Sequence, residues 1–252
     1  MILQSRLPVA PWADPALARM PGMRPVEGSW IVVDDAYAAQ VAEKQRLLAE
    51  RPGDVVAALP GSEAAQAEAL EAALAALPGG FRRDGDAVET PDGRHVALGD
   101  PLRTLAATVQ EDVLVLERRG AEHVLVAGLL CFPASWTLAE KIGRPLTRIH
   151  RPVPGYAGDL AGRVQRLFDR ARPGRAMWRM NALGYHDPAL FQPRTEAAPK
   201  RERPARFLRC ERQTVLALPS GAVMFAVHTY LVRPEALTAA QRAGCPVAFE
   251  GA

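Results

Sequence analysis

The chain has no glycine-rich phosphate loop behind a strand, no Walker sequence and no G-x-S-x-G elbow. It therefore shows no nucleotide cradle of its own and no serine nucleophile on a strained turn. Its three cysteines, Cys131, Cys210 and Cys245, are far apart, and no His or Cys pair has the i, i+4 spacing that holds zinc. So sparse and odd a count argues against a disulfide framework and for a reducing compartment. The longest apolar run, Val124 to Phe132, is too short to span a bilayer and contains Gly128. No basic segment followed by an apolar one opens the chain, so a signal peptide is not expected and a cytoplasmic location is. An excess of one charge is also missing. The 31 basic residues face 28 acidic ones, with no basic tract interleaved with aromatics, which argues against a nucleic-acid interface.

What is present suits a sizeable core, since 48% of the residues are hydrophobic. Residues 1–29 read as an extended arm, studded with Pro8, Pro11, Pro15, Pro21 and Pro25 and pinned by Trp12 and Trp30. Residues 30–235 read as one domain and 236–252 as a tail. Asp34 and Asp35 offer N-caps for a helix to about Glu50, and Pro60-Gly61-Ser62 starts a second carrying Leu70, Leu74 and Leu77. A hairpin is expected around Pro91-Asp92-Gly93, and a helix at Asp100-Pro101. Val113 to Glu117 and Val124 to Cys131 read as strands. Thr137 with Glu140 reads as a capping box, and Asp159 as the cap of a helix burying Leu160, Val164, Leu167 and Phe168. Gln192 to Ala205 reads as an exposed charged loop. Phe207 to Leu218 and Ala222 to Val232 are the strongest strands. This order predicts an α+β fold, an antiparallel sheet with helices packed on one face.

Chemistry must then rest on few side chains. Haem suits such a chain, because one axial histidine and an apolar pocket can hold it. Of the five histidines, His95 and His123 sit beside turn residues. His150 lies in a proline-stiffened stretch, before Pro152 and Pro154, with Lys141, Arg144, Arg148 and Arg151 nearby. Those cations are enough to pair two propionates; the stretch also reads as a solvated basic loop. In the last hairpin, a two-residue Ser220-Gly221 loop would set Glu211 opposite Tyr230 and Gln213 opposite His228, all on one face. Such a face is either solvated or the wall of a polar pocket.

Five blocks in order carry a resemblance: Leu130 to Trp136, Lys141 to Tyr156, Trp178 to Asn181, Glu211 to Thr214, and Thr229-Tyr230. Together they resemble the haem-binding alpha subunit of the haem-dependent oxidative N-demethylase (dimethylamine monooxygenase) family, across roughly Val26 to Val232. The resemblance implies a PAS-like fold holding haem b through His150, with Lys141, Arg144, Arg148 and Tyr156 around the cofactor. It implies Arg179, Glu211, His228 and Tyr230 as catalytic residues for a small amine and O2. NADPH, FMN and a 2Fe-2S cluster would sit on partner components. His228 stands where the family commonly has arginine, and Ala182 where it has tryptophan. The alternative is a non-catalytic haem-binding sensor of PAS-like fold.

Overall fold

The computed structural model describes every residue except Arg19, Pro154, Ala157, Glu202 and Ala252. Pro154, expected to stiffen the chain after His150, therefore lies outside the described residues. The first half contains β1 (Arg24–Pro25), α1 (Tyr37–Glu50), α2 (Pro52–Val55), β2 (Val56–Ala58), α3 (Glu63–Ala76), β3 (Arg82–Asp84), β4 (Ala87–Glu89), β5 (His95–Ala97) and α4 (Pro101–Thr108). Then come β6 (Asp112–Arg119), β7 (Glu122–Leu129), α5 (Leu138–Lys141), α6 (Leu146–Ile149), α7 (Asp159–Asp169), β8 (Met177–Met180) and β9 (Leu183–Tyr185). The last are β10 (Phe207–Ala217), β11 (Val223–Val232) and α8 (Ala239–Ala243).

The main sheet runs β1-β8-β10-β11-β6-β7-β2, with β9 also paired to β10, and all its strand pairs are antiparallel. β3, β4 and β5 form a small separate sheet. The fold is α+β. Side-chain alternation along β6 divides the core in two. Val113 and Val115 pack with Leu47, Ala69 and Leu105 of α1, α3 and α4. Leu114 and Leu116 pack instead with Leu146 of α6 and with Val164 and Phe168 of α7. The larger helical layer thus lies on one face, as expected, and a smaller one covers the other. Gly128 makes that second layer possible: a Cβ there would sit 2.8 Å from Leu114 Cδ2 and 3.0 Å from Leu138 Cδ1.

Several local signals behave as read. The Asp100 carboxylate accepts the Arg103 N–H at 2.9 Å and Pro101 opens α4. Gly93 takes a positive φ of 81° in the β4–β5 turn. The arm is tied down at Gln4, which accepts the Leu231 N–H at 2.8 Å, and at Trp12, whose indole donates to Gln241 O at 3.1 Å. Not all the expected caps form: Asp159 is the first residue of α7, behind Gly158, and no side chain caps that helix. α1 starts at Tyr37 without a side-chain cap: Asp34 accepts the Ala36 N–H at 2.9 Å, ahead of the helix, and faces His228 with its other oxygen, while Asp35 accepts the Ser5 N–H at 2.9 Å. Thr137 donates to Glu140 Oε2 at 3.1 Å, and Glu140 accepts the N–H of Glu196 rather than closing a box.

The β10–β11 register corrects the sequence expectation. Leu218 N–H bonds Ala222 O at 2.7 Å, and Pro219-Ser220-Gly221 makes a three-residue turn with Gly221 at φ 88°. Glu211 therefore faces Thr229, Arg212 faces His228 and Cys210 faces Tyr230. One residue of slip turns a strand's side chains to the opposite face. Glu211 and Gln213 thus part company with His228 and Tyr230.

Candidate functional site

The α6–α7 face of the sheet gathers most of the predicted site. His150 follows the single turn of α6, whose last carbonyls need partners. Its Nδ1 lies 2.9 Å from Leu146 O, and its ring stacks on Tyr156 with centroids 4.2 Å apart and planes 12° from parallel. With Nδ1–H donated to the backbone, Nε2 is left with a lone pair and no hydrogen-bond partner among the described residues. Burial pushes the His150 pKa below its ordinary value; Leu146 opposes this and Lys141 adds to it. Tyr156 is buried, its hydroxyl lacks a partner, and burial raises its pKa to about 12. Tyr156 belongs to an apolar cluster that also holds Leu146, Leu160, Trp136, Ile149 and Phe225.

The cations beside His150 are not all disposed as expected. Lys141 Nζ donates to Ile149 O at 2.9 Å and to Glu196 Oε1 at 2.8 Å. Arg148 grips Glu196 with two nitrogens, at 2.8 and 3.2 Å, and Arg151 adds a contact at 3.0 Å. The Arg148 hydrogen bond, then that of Lys141, holds the Glu196 carboxyl down to about 2. Arg144 is exposed and stands outside this cluster. Glu196 lies in the loop read as exposed, and nothing local in the sequence singles it out.

Arg179 and Glu211 share the same face, through β8 and β10. Gln213 pairs with Arg179 across the strands, and its Oε1 accepts Arg179 Nη1–H at 2.8 Å. Glu211 Oε2 accepts from Asn181 Nδ2 at 2.9 Å, Glu211 N–H bonds Asn181 Oδ1 at 2.8 Å, and Arg209 Nη2 reaches Glu211 Oε1 at 3.3 Å. Arg209 is 1% exposed and also donates to Leu190 O and Phe132 O. Sequence reasoning missed it, since a charged residue in a strand reads as outward-facing. Burial lowers the Arg179 pKa, with Glu211 opposing. Arg179 Nε, Arg209 Nε and Thr229 Oγ1 are buried without partners, so this polar wall has unused hydrogen-bonding capacity.

His228 and Tyr230 face the other way. His228 is 1% exposed, with Nε2 3.0 Å from Asp34 Oδ2 and Nδ1 3.3 Å from Glu111 Oε1, near enough for charge pairing though not aligned as a hydrogen bond. Burial opposes its protonation, but the two carboxylates outweigh it and raise its pKa to about 9. Burial likewise disfavours a charged Asp34, yet His228, Gln110 and Gln4 keep its carboxyl below the ordinary value. Tyr230 lies 4.5 Å from the His228 ring and is buried with Leu208, Cys210 and Val232. Four catalytic side chains converging on one face is thus not what the chain builds. Two of them, Arg179 and Glu211, remain on the sheet face that the α6–α7 layer covers.

The sequence model of the family described as "haem-dependent oxidative N-demethylase, alpha subunit-like" matches residues 23–248. The chain belongs to this family. The match spans both the His150 layer and the polar wall. The residues present fit a haem: a histidine with one ring nitrogen unused, a stacked tyrosine whose buried hydroxyl lacks a partner among the described residues, an apolar cluster on the tyrosine's side, and adjacent cations. No group of three or more His, Cys, Asp or Glu converges as a metal site among the described residues. Among the described residues, no helix is long and apolar enough to cross a membrane.

Proposed function

We propose that this chain is the haem-binding subunit of an oxidative N-demethylase acting on a small, dimethylamine-like amine with O2, and that His150 Nε2 is the axial donor. The reading rests chiefly on one observation: His150 commits Nδ1 to Leu146 O, keeps Nε2 unbonded among the described residues, and stacks on Tyr156 of the layer covering the sheet face that presents Arg179 and Glu211. Haem held there supplies the redox chemistry that couples O2 to removal of an amine methyl group. Electrons would come from partner components carrying FMN and a 2Fe-2S cluster fed by NADPH. A PAS-like sheet is the frame this reading assigns, and the cytoplasm its setting.

The chain's own residues position and neutralise. Tyr156 fixes the plane of the His150 ring, so Nε2 points one way. Asn181 and Arg209 orient the Glu211 carboxylate, whose remaining lone pairs can accept N–H donors from an alkylammonium ion. Glu211 then holds the proton that the amine must give up, while Arg179, restrained by Gln213, places a second cation beside it. His228 and Tyr230 act only through the sheet.

The test is spectroscopic. Haemin-reconstituted protein should show a Soret band that shifts on addition of dimethylamine. Glu211→Gln should keep the band but weaken the amine's apparent affinity roughly 10–100-fold, the loss of a charge-assisted pair. An amine response untouched by that substitution would remove Glu211 from the site, and haem binding with no amine response at all would favour a sensor.

A further inference from the structure

We propose that Glu196 is a built-in surrogate for the cofactor's carboxylates: in the ligand-free chain it occupies Lys141, Arg148 and Arg151, and it yields them when a haem propionate binds. This rests on the haem reading above and says how that site is kept until it is filled.

Three separate cations converge on one carboxylate, from α5, from α6 and from the turn after His150. When Glu196 turns away, three cations are left facing outward-opening space, ready for another carboxylate. Arg148 engages Glu196 through both terminal nitrogens, the fork geometry that any planar carboxylate satisfies equally well. The cluster is also open to exchange. Lys141 is 5% exposed at its inner end, Arg148 is 32% exposed and Arg151 67%, so an incoming carboxylate can meet Arg151 first and work inward.

Releasing Glu196 does not require its backbone to move. Its N–H is bonded to the Glu140 carboxylate at 3.1 and 3.2 Å, so the main chain stays anchored while the side chain turns outward. A purely structural clamp would be expected to seal its cations. Here the outermost one faces water, where a single ion pair contributes little and is readily traded. Without a lodger, Lys141 would be a buried ammonium with Ile149 O as its one partner among the described residues, which explains why an internal carboxylate is kept there.

The experiment measures equilibrium binding of two probes, haemin and haemin dimethyl ester, to wild type and to Glu196→Gln by Soret titration. If Glu196 holds the trio about 90% of the time, removing its charge should tighten haemin binding about tenfold, since apparent affinity scales with the competent fraction. The ester has no free carboxylates and should bind both proteins equally. Equal or weaker haemin binding by Glu196→Gln would overturn the proposal, and so would an equal gain with the ester. Failure of both proteins to bind either probe would overturn the haem reading itself, and this proposal with it.

Discussion

Arg209→Met should lower the unfolding free energy by roughly 3–5 kcal/mol, the cost of breaking a buried ion pair from one side. Arg209 is among the largest fully buried side chains, and it holds Leu190 O, Phe132 O and Glu211 Oε1 with one guanidinium. Methionine fills similar space but donates nothing, so two buried carbonyls and a carboxylate lose a partner. For a chain of this size the melting temperature should fall by roughly 10 °C. Arg209→Lys should recover only part of the loss, because an ammonium cannot match the planar fork. Thermal denaturation of the three proteins checks this, and a methionine variant melting with the wild type would show the cluster to be incidental.

His228 should make stability fall as pH rises above neutrality. Its folded pKa of about 9 lies above the ordinary 6.5, so folding favours the protonated ring. The stabilisation is complete below pH 6.5 and is lost as pH climbs through 9. The difference corresponds to about 3 kcal/mol. Denaturant titrations at pH 6 and pH 9.5 should show that drop in wild type and a flatter response in His228→Gln. His123 and His150, both pushed below their ordinary values by burial, act in the opposite direction near pH 6, and because they do so equally in both proteins the His228→Gln control subtracts them. Parallel slopes in the two proteins would mean that Asp34 and Glu111 do not hold an imidazolium.

The elements legible in the sequence are those set by neighbours along the chain. Asp100-Pro101 starts α4, Pro91-Asp92-Gly93 turns β4 into β5, and the apolar pattern marks both long strands of the final hairpin. His150, Arg179 and Glu211 stand out in the sequence through the blocks that carry the family resemblance. The hairpin register was not legible, because Pro219-Ser220-Gly221 admits both a two-residue loop and a three-residue one, and the left-handed Gly221 settles on the latter. That single residue carries His228 and Tyr230 to the far face. His228 and Asp34 are 194 residues apart and Lys141 and Glu196 are 55 apart, pairings with no local signature. Arg209 was invisible for another reason: a strand buried on both faces has no outward side, so alternation stops marking charged residues as exposed.

The central claim is that His150 Nε2 is the axial donor, and one measurement tests it directly. His150→Gly should keep its far-ultraviolet circular dichroism yet lose stoichiometric haem and the histidine-type Soret band. Added imidazole, small enough for the space left by the ring, should restore both. A glycine variant that holds stoichiometric haem with an unchanged spectrum, and is indifferent to imidazole, would contradict the assignment.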